Sequence, residues 1–439
     1  MKEHCNINIR FFKRMIMGRE VLPIVKTGAI RSSMQVKEQP NRGWQVTFAG
    51  MGINFALGIL YSWSIIAQFL RDVLGWTAMS SQLPYMIACG IFAILMVPGG
   101  RMQDKLGPRI VLMASAVFAG IGLIGSSFFL SITGLALFFG IFFGTAMGLG
   151  YSSTTPPAVK WFSAQKRGLV TGLVVSGFGL ASVYAAPLTS SLLSSLGISS
   201  TFLILGIAFM ILILLLVQFI SNPPDGYLPV EVHAGTPEKK GQESSARDYE
   251  WYEMIRNPQF YLIWFMFCFG ALAGLMIIGQ LSSIAQEQAN LSLGFLLVAL
   301  LAIFNAGGRI IGGVMFDKIG RTNTLFIIFA VQAVNFLFFS TYKSLFLLLI
   351  GTVVTGFCYG ACLSVFPAIT AGFFGVKNLG VNYGLVFMAW GAGGVFGGLI
   401  GGLVRDLTGT YLAAYLIAAC LCIASTIMVF FVKTPRQAV

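Results

Sequence analysis

GRMQDKLGPR, residues 100–109, and GVMFDKIGR, residues 313–321, are two versions of one loop. Each carries a glycine, an Asp-Lys pair and a second glycine at the same spacing: Gly100, Asp104, Lys105 and Gly107, then Gly313, Asp317, Lys318 and Gly320. The aspartates stand 213 positions apart, about half of the 439-residue chain, and each loop lies between long apolar runs. Gly168-Leu169-Val170 recurs 216 positions on as Gly384-Leu385-Val386. A half-chain repeat among apolar runs predicts two like bundles of membrane helices related by an axis along the membrane normal. The substrate then binds near the midplane, between bundles that rock against one another.

Composition agrees. The chain is 56% hydrophobic and 10% charged, against about 45–50% and about 25% for soluble domains. A soluble enzyme, a secreted disulfide scaffold and a nucleic-acid binder are all excluded. About 20 apolar residues cross a bilayer, and the apolar runs predict twelve such helices. They fall near 44–69, 80–99, 109–131, 134–158, 168–192 and 199–221, then 258–284, 291–314, 323–341, 345–372, 382–404 and 410–432. The expected organisation is a tail (1–43), a six-helix bundle (44–221), a linker (222–257), a second six-helix bundle (258–433) and a short tail (434–439). The fold class is all-α and integral to the membrane.

Charge sets the orientation. With the N-terminus inside, cytoplasmic segments hold 24 of the 28 Lys/Arg, and the outer loops hold only Arg71, Lys343 and Arg405. This is the positive-inside asymmetry, and it places both termini in the cytoplasm, with the chain in an inner or plasma membrane. The net charge of +13 therefore reflects topology rather than nucleic-acid binding. Residues 1–43 contain nine Lys/Arg but lack the apolar core of about 7–15 residues that a secretory signal needs. Met34 stands as an alternative start. Of seven cysteines, six lie in apolar runs and read as small buried hydrophobes. No metal, disulfide or cofactor is expected, and the chain is expected to act as a monomer.

Glycines recur four apart at Gly140, Gly144 and Gly148, at Gly393, Gly397 and Gly401, and at Gly394, Gly398 and Gly402. Small residues at this spacing let membrane helices approach closely.

The two loops resemble the signature loop of the major facilitator superfamily. Longer strings narrow the likeness: GYSSTTPPAVKWFSAQKRGLVTGLVVSGFGLAS (150–182), NPPDGY (222–227), RNPQFYLIW (256–264) and FPAITAGFFGVKNLGVNYGLVFMAWG (366–391) resemble the oxalate/formate antiporter family, itself related to the monocarboxylate transporters. The resemblance runs from the first helix to the twelfth and implies a carrier of small carboxylates working by alternating access. It also implies that Asp104 and Asp317, with Lys105, Arg109, Lys318 and Arg321, latch the cytoplasmic side. The alternative is that the loops are solvated topology signals.

Arg309 is the one basic residue left inside a helix, the eighth. A charge near mid-membrane costs about 2.5–3.5 kcal/mol on insertion scales and normally faces a cavity or a partner. No Asp or Glu falls within the twelve apolar runs, so the expected counter-charge is the substrate; guanidinium matches carboxylate two-pronged. The alternative is snorkelling toward the surface past Asp317, about 12 Å along the helix. The family places an essential arginine on this helix, and Arg309 is its match. The family's oxalate carrier also has a lysine on the eleventh helix, where this chain has Trp390. One cation rather than two favours a monocarboxylate over oxalate.

Asn305 shares a helix face with Arg309; mammalian-type monocarboxylate transporters are expected to have an aspartate there, and asparagine cannot relay a proton. His4 and His233 both lie outside the apolar runs. A coupled proton then travels on the substrate carboxyl or on water. Tyr61, Tyr151, Gln280 and Tyr359 are further candidates for cavity polar groups, with Trp390 as a wall; each reads equally as packing or an interface anchor. Trp44, Trp76 and Trp161 fall at helix ends and read as interface anchors. The expected function is secondary transport of a small monocarboxylate (lactate, formate, pyruvate or acetate), by proton symport or anion exchange. Oxalate/formate exchange and a non-transporting carboxylate sensor are the alternatives.

Overall fold

In the computed structural model the described residues are 42–162, 164–224, 227, 248–290, 294–375 and 378–435, with the side chains of 164–168, 317, 379 and 380 excluded. The basic tail to residue 41 with Met34, most of the linker, the last four residues and the Asp317 side chain lie outside that description. Among the described residues eleven helices are long and apolar enough to cross a membrane. One of them, Leu169–Val217, is 49 residues, about 70 Å at 1.5 Å per residue, or more than twice the hydrocarbon core. It turns back at Gly197, whose φ of 76° and ψ of 176° are non-helical, and so supplies two spans.

The helices are α1 (Gly43–Leu74), α2 (Ala78–Leu106), α3 (Pro108–Phe128), α4 (Ile132–Lys160), α5 (164–196), α6 (198–217), α7 (Pro258–Ala289), α8 (Gly294–Phe316), α9 (Lys318–Thr341), α10 (Leu345–Phe374), α11 (Val381–Thr408) and α12 (Leu412–Phe431). Several outrun their apolar stretches: α2 continues through Arg101, Gln103 and Asp104, and α11 through Arg405 and Asp406. Their last turns are polar because they reach the headgroup region, which hydropathy alone reads as loop. The linker is not wholly irregular: Trp251–Met254 forms a single helical turn capped reciprocally by Glu250 and Glu253.

The repeat extends to the backbone. Gly107 (φ 84°, ψ 156°) and Gly320 (φ 80°, ψ 166°) occupy matching loop positions in one conformation that is essentially restricted to glycine. Arg109 donates from Nε to the Ile220 carbonyl at 2.6 Å and from Nη2 to Gln218 at 3.1 Å. Arg321 donates to Thr434 Oγ1 at 2.9 Å and stands 4.9 Å over the Phe373 ring. Each loop arginine thus ties its loop to the end of the last helix in its own half. In this conformation these bonds do not latch the halves together. Asp104, Lys105 and Lys318 are exposed.

The halves meet through α2 against α11, α5 against α8 and α1 against α7. The glycine stripes set the first of these. A Cβ on Gly397 would come 2.8 Å from the Leu272 carbonyl oxygen of α7, and one on Gly402 would come 2.7 Å from Met79 Cα of α2. One stripe of α11 therefore faces α7 and the other faces α2. Gly140, Gly144 and Gly148 seat α4 on α2 in the same way. At the end opposite the Gly107 and Gly320 loops, the Asp406 carboxylate accepts from the amides of Ala78 and Met79 at 2.7 and 2.8 Å, a favourable charge at a helix N-terminus.

Trp161 is not an interface anchor: it is 3% exposed and its indole N–H donates to the Ser221 carbonyl at 2.8 Å. Trp44 remains 40% exposed, as an anchor requires.

Overpacking costs about 1–3 kcal/mol. Gly397→Leu and Gly402→Leu are expected to lower the melting temperature and the monodisperse yield in detergent. Gly313→Ala, with nothing within 4 Å of its Cβ position, is expected to leave both unchanged; size-exclusion profiles after graded heating read the difference.

Candidate functional site

Arg309 lies on α8 and is 7% exposed. Its Nε donates to Asn305 Oδ1, one helical turn away, at 3.2 Å. Its Nη1 crosses to α5 and donates to the Val175 carbonyl at 2.8 Å. The side chain therefore points into the bundle and does not snorkel. Hydrogen bonds from a charged group contribute about 1.5–3 kcal/mol each, so these two are enough to offset the insertion cost of about 2.5–3.5 kcal/mol. Both acceptors are neutral, and the full positive charge remains.

Close backbone approach makes room for it. A Cβ on Gly179 of α5 would stand 3.3 Å from both Cζ and Nε of Arg309. On the other side of α8, Gly308 and Gly312 seat the helix on Phe357 and Ala361 of α10, and Gly360 meets the Asn305 backbone. Gly307 and Gly313 face open space. Two of the four glycines flanking Arg309 thus pack, and these fix the face it presents.

Tyr61 sits in a 3-10 segment, Gly58–Ser62, that interrupts α1. Such interruptions occur where membrane helices line a binding site. Its hydroxyl lies 2.9 Å from that of Tyr359 on α10, and the Trp390 indole N–H donates to Tyr359 at 2.6 Å. Because Trp390 only donates, the Tyr359 oxygen accepts from it and its own proton is available to Tyr61. The Arg309 charge acts on Tyr61, Tyr151 and Tyr383.

Aromatic rings close the remaining walls. Phe178 meets Tyr61 and Tyr151 edge-on at 5.3 and 5.5 Å; Phe387 stacks on Trp390 at 5.0 Å; Phe92 reaches Tyr151, Phe178, Phe387 and Trp390 at 5.0–5.6 Å. Such pairs contribute about 0.5–1.5 kcal/mol each beyond burial. Among the described residues the result is one cation, the Asn305 amide and a few phenols in an otherwise apolar box. That suits a small anion with a carboxylate at one end and little polarity elsewhere.

Of the residues singled out in the sequence, Arg309, Asn305, Tyr61, Tyr151, Tyr359 and Trp390 come together. Gln280 does not join them. It lies six residues, about 9 Å along α7, beyond Gly274, which faces Tyr359, and accepts a hydrogen bond from Tyr411 at 3.0 Å. The structure adds Phe92, Phe178, Gly179, Tyr383, Phe387 and the Val175 carbonyl. Tyr383, Phe387 and Trp390 follow helical spacing in NYGLVFMAWG and were legible as one face. Phe92 and Phe178 carry no mark among 39 phenylalanines.

The sequence profile described as Major Facilitator Superfamily matches residues 46–342 and 324–439. The chain belongs to the major facilitator superfamily. It is 29% identical over 360 residues to an uncharacterized MFS-type transporter, YhjX, of Escherichia coli (strain K12), covering 80% of this chain and 86% of that one. It is 28% identical to the oxalate:formate antiporter of Oxalobacter formigenes over 81% of this chain and 83% of that one. A shorter match, 29% identical over 163 residues, reaches monocarboxylate transporter 13 of Rattus norvegicus, covering 36% of this chain and 37% of that one. The fold is similar to the crystal structure of a bacterial homolog of the human lysosomal transporter Spinster, inward-facing and unoccupied. There the TM-score is 0.62 at 16% identity, over 90% of this chain and 96% of that one. The protein is a multi-pass membrane transporter of this superfamily.

Gly179→Leu is expected to fill the space beside the guanidinium, displace it from the aromatic box and weaken binding of a labelled small carboxylate by about tenfold or more. Gly172→Ala, on the same helix with nothing within 4 Å of its Cβ position, is the matched control. Equilibrium binding to purified protein measures both.

Proposed function

We propose that the protein carries a small monocarboxylate, of the lactate, formate, pyruvate or acetate type, across an inner or plasma membrane in symport with a proton. The observation that carries this reading is Arg309: a buried guanidinium held by two neutral oxygens, inside an aromatic box, with no carboxylate from the protein among its described partners. A substrate carboxylate supplies the missing charge and accepts from the guanidinium two-pronged. The phenols of Tyr61 and Tyr151 are placed to donate to it, and Phe92, Phe178, Phe387 and Trp390 receive its apolar part.

Binding has a mechanical consequence. The bond from Arg309 to Val175 joins α8 to α5, and the Tyr61–Tyr359 contact joins α1 to α10. Both bridge residues 44–221 and 258–433, the two bundles of this reading. A carboxylate that draws the guanidinium away from Val175 exchanges a bond between bundles for a bond to substrate, which lets the bundles rock about it. The Gly107 and Gly320 loops then lie in the cytoplasm, with both termini, and a single chain suffices as the working unit. His4 and His233 fall outside the apolar runs of the sequence, and the charged group at the site is an arginine. The coupled proton therefore travels on water beside the bound carboxylate, because the neutral acid would leave the Arg309 charge unmet.

Exchange of oxalate for formate is the second reading, favoured by the likeness to the Oxalobacter formigenes protein. Against it stands Trp390, whose indole packs on Phe387 and donates to Tyr359 where a second cation is wanted for a dianion.

Proteoliposomes decide between them. Labelled L-lactate, or formate, pyruvate or acetate in turn, is supplied in acidic medium outside vesicles lacking counter-substrate, with labelled oxalate into formate-loaded vesicles alongside. Accumulation of a monocarboxylate that collapses with a protonophore and is lost in Arg309→Gln is expected. Brisk oxalate exchange with no uptake of any monocarboxylate contradicts the symport reading and favours the second.

A further inference from the structure

A second set of donors stands at the end of the bundle opposite the Gly107 and Gly320 loops. Arg71, in the last turn of α1, donates through Nη1 to the Tyr411 hydroxyl at 2.9 Å, and Tyr411 donates to Gln280 Oε1 at 3.0 Å. Guanidinium offers donors only, so the direction of this chain is fixed. Tyr411 accepts from Arg71, its proton goes to the Gln280 oxygen, and the Gln280 amide nitrogen is turned elsewhere. Burial pushes the Tyr411 phenol above its ordinary value, against the pull of Arg71, so it remains protonated and able to donate.

Two N–H groups are left over. Arg71 Nη2 and Gln280 Nε2 are both buried, and neither meets an acceptor among the described residues. Gln280 is only 1% exposed. A buried donor left unmet costs about 1–3 kcal/mol, and more when charged. The neighbouring acids are committed: Glu287 accepts from Arg405 Nε at 2.7 Å, and Asp406 accepts from the first amides of α2. Arg405 also lies 5.8 Å from the centre of the Tyr411 ring. Glu287 and Asp406 are thus both engaged, Asp72 beside Arg71 is exposed, and the Arg71 guanidinium pairs with no carboxylate among the described residues.

We propose that Arg71 and Gln280, with Tyr411 between them, form a second carboxylate site at the outer mouth, through which the acid passes on its way to or from Arg309. It rests on the transport reading above for the class of anion. A carboxylate brings acceptor oxygens to a place that has two spare donors, one of them on a guanidinium with no carboxylate partner among the described residues. An anion drawn to Arg71 also competes with Tyr411 for the guanidinium. That bond joins α1 to the start of α12 and helps to close this end, so occupancy of the outer site loosens the closure.

Solid-state NMR on the full-length protein in bilayers, with 15N-arginine and 13C-carboxylate formate, L-lactate or oxalate, reads the site directly. Two carboxylate-to-guanidinium contacts are expected in the unmodified chain. Arg309→Gln removes one, Arg71→Gln removes the other, and Gln280→Leu raises the half-saturation of the Arg71 contact by about fivefold or more. A single contact that vanishes in Arg309→Gln overturns the outer site and leaves the reading of Arg309 standing. A contact at Arg71 alone does the reverse. Contact at neither arginine with all three acids overturns both. The unmodified chain gives the count by itself, so a variant that folds poorly does not remove the test.

Discussion

The charge on Arg309 is the constraint to which the middle of the molecule answers. A guanidinium this deep is tolerated only if its N–H groups meet oxygens, and the chain provides them without a carboxylate: an amide oxygen one turn back on α8 and a backbone carbonyl on α5. An acidic partner would have cancelled the charge. Neutral acceptors satisfy geometry and leave the electrostatics incomplete, so an anion arriving at the site finds an unneutralised cation in surroundings of low dielectric, where attraction is strong. The aromatic residues around it exclude water and keep that dielectric low.

The same requirement shapes the packing. For Arg309 to reach Val175, α8 and α5 must run close together, and Gly179 on α5 provides the space. For Asn305 to be held, α8 must lie flat on α10, and Gly308, Gly312 and Gly360 provide that. On the other side of the bundle α11 carries two glycine stripes, one against α7 and one against α2. That leaves its aromatic face, Tyr383, Phe387 and Trp390, for the site. Lipid gives no hydrophobic reason for helices to associate, so these small-residue contacts hold the aromatic box in register. Because α11 touches both α7 and α2, it is also the natural surface for one half to move on the other.

Much of this was legible beforehand, for physical reasons that can be named. The half-chain repeat is written in glycines that the loops require, and Gly107 and Gly320 adopt the same positive-φ turn. Arg309 stood out because charge in an apolar run is costly. What sequence could not supply was direction and depth. Gln280 sits on a helix that borders the site, yet belongs to the opposite end, because hydropathy gives a residue's depth only to within a turn or two. Trp161 read as an anchor because helix-end tryptophans usually are; the fold buries it on the Ser221 carbonyl. The Val175 carbonyl has no side-chain signature at all. The polar last turns of α2 and α11 were lost for a related reason, since a membrane helix does not stop where its apolar residues do.

A crystal structure grown with 2-bromopropionate, a monocarboxylate whose bromine marks it by anomalous scattering, would show whether Arg309 holds the substrate. The carboxylate is expected paired with the Arg309 guanidinium, the bromine among Phe92, Phe178 and Phe387, and the bond from Arg309 to Val175 lengthened or broken. Bromine density elsewhere in the bundle, with Arg309 still bound to Val175 and Asn305, would show that the buried arginine is a structural bracket and that substrate is recognised by other residues.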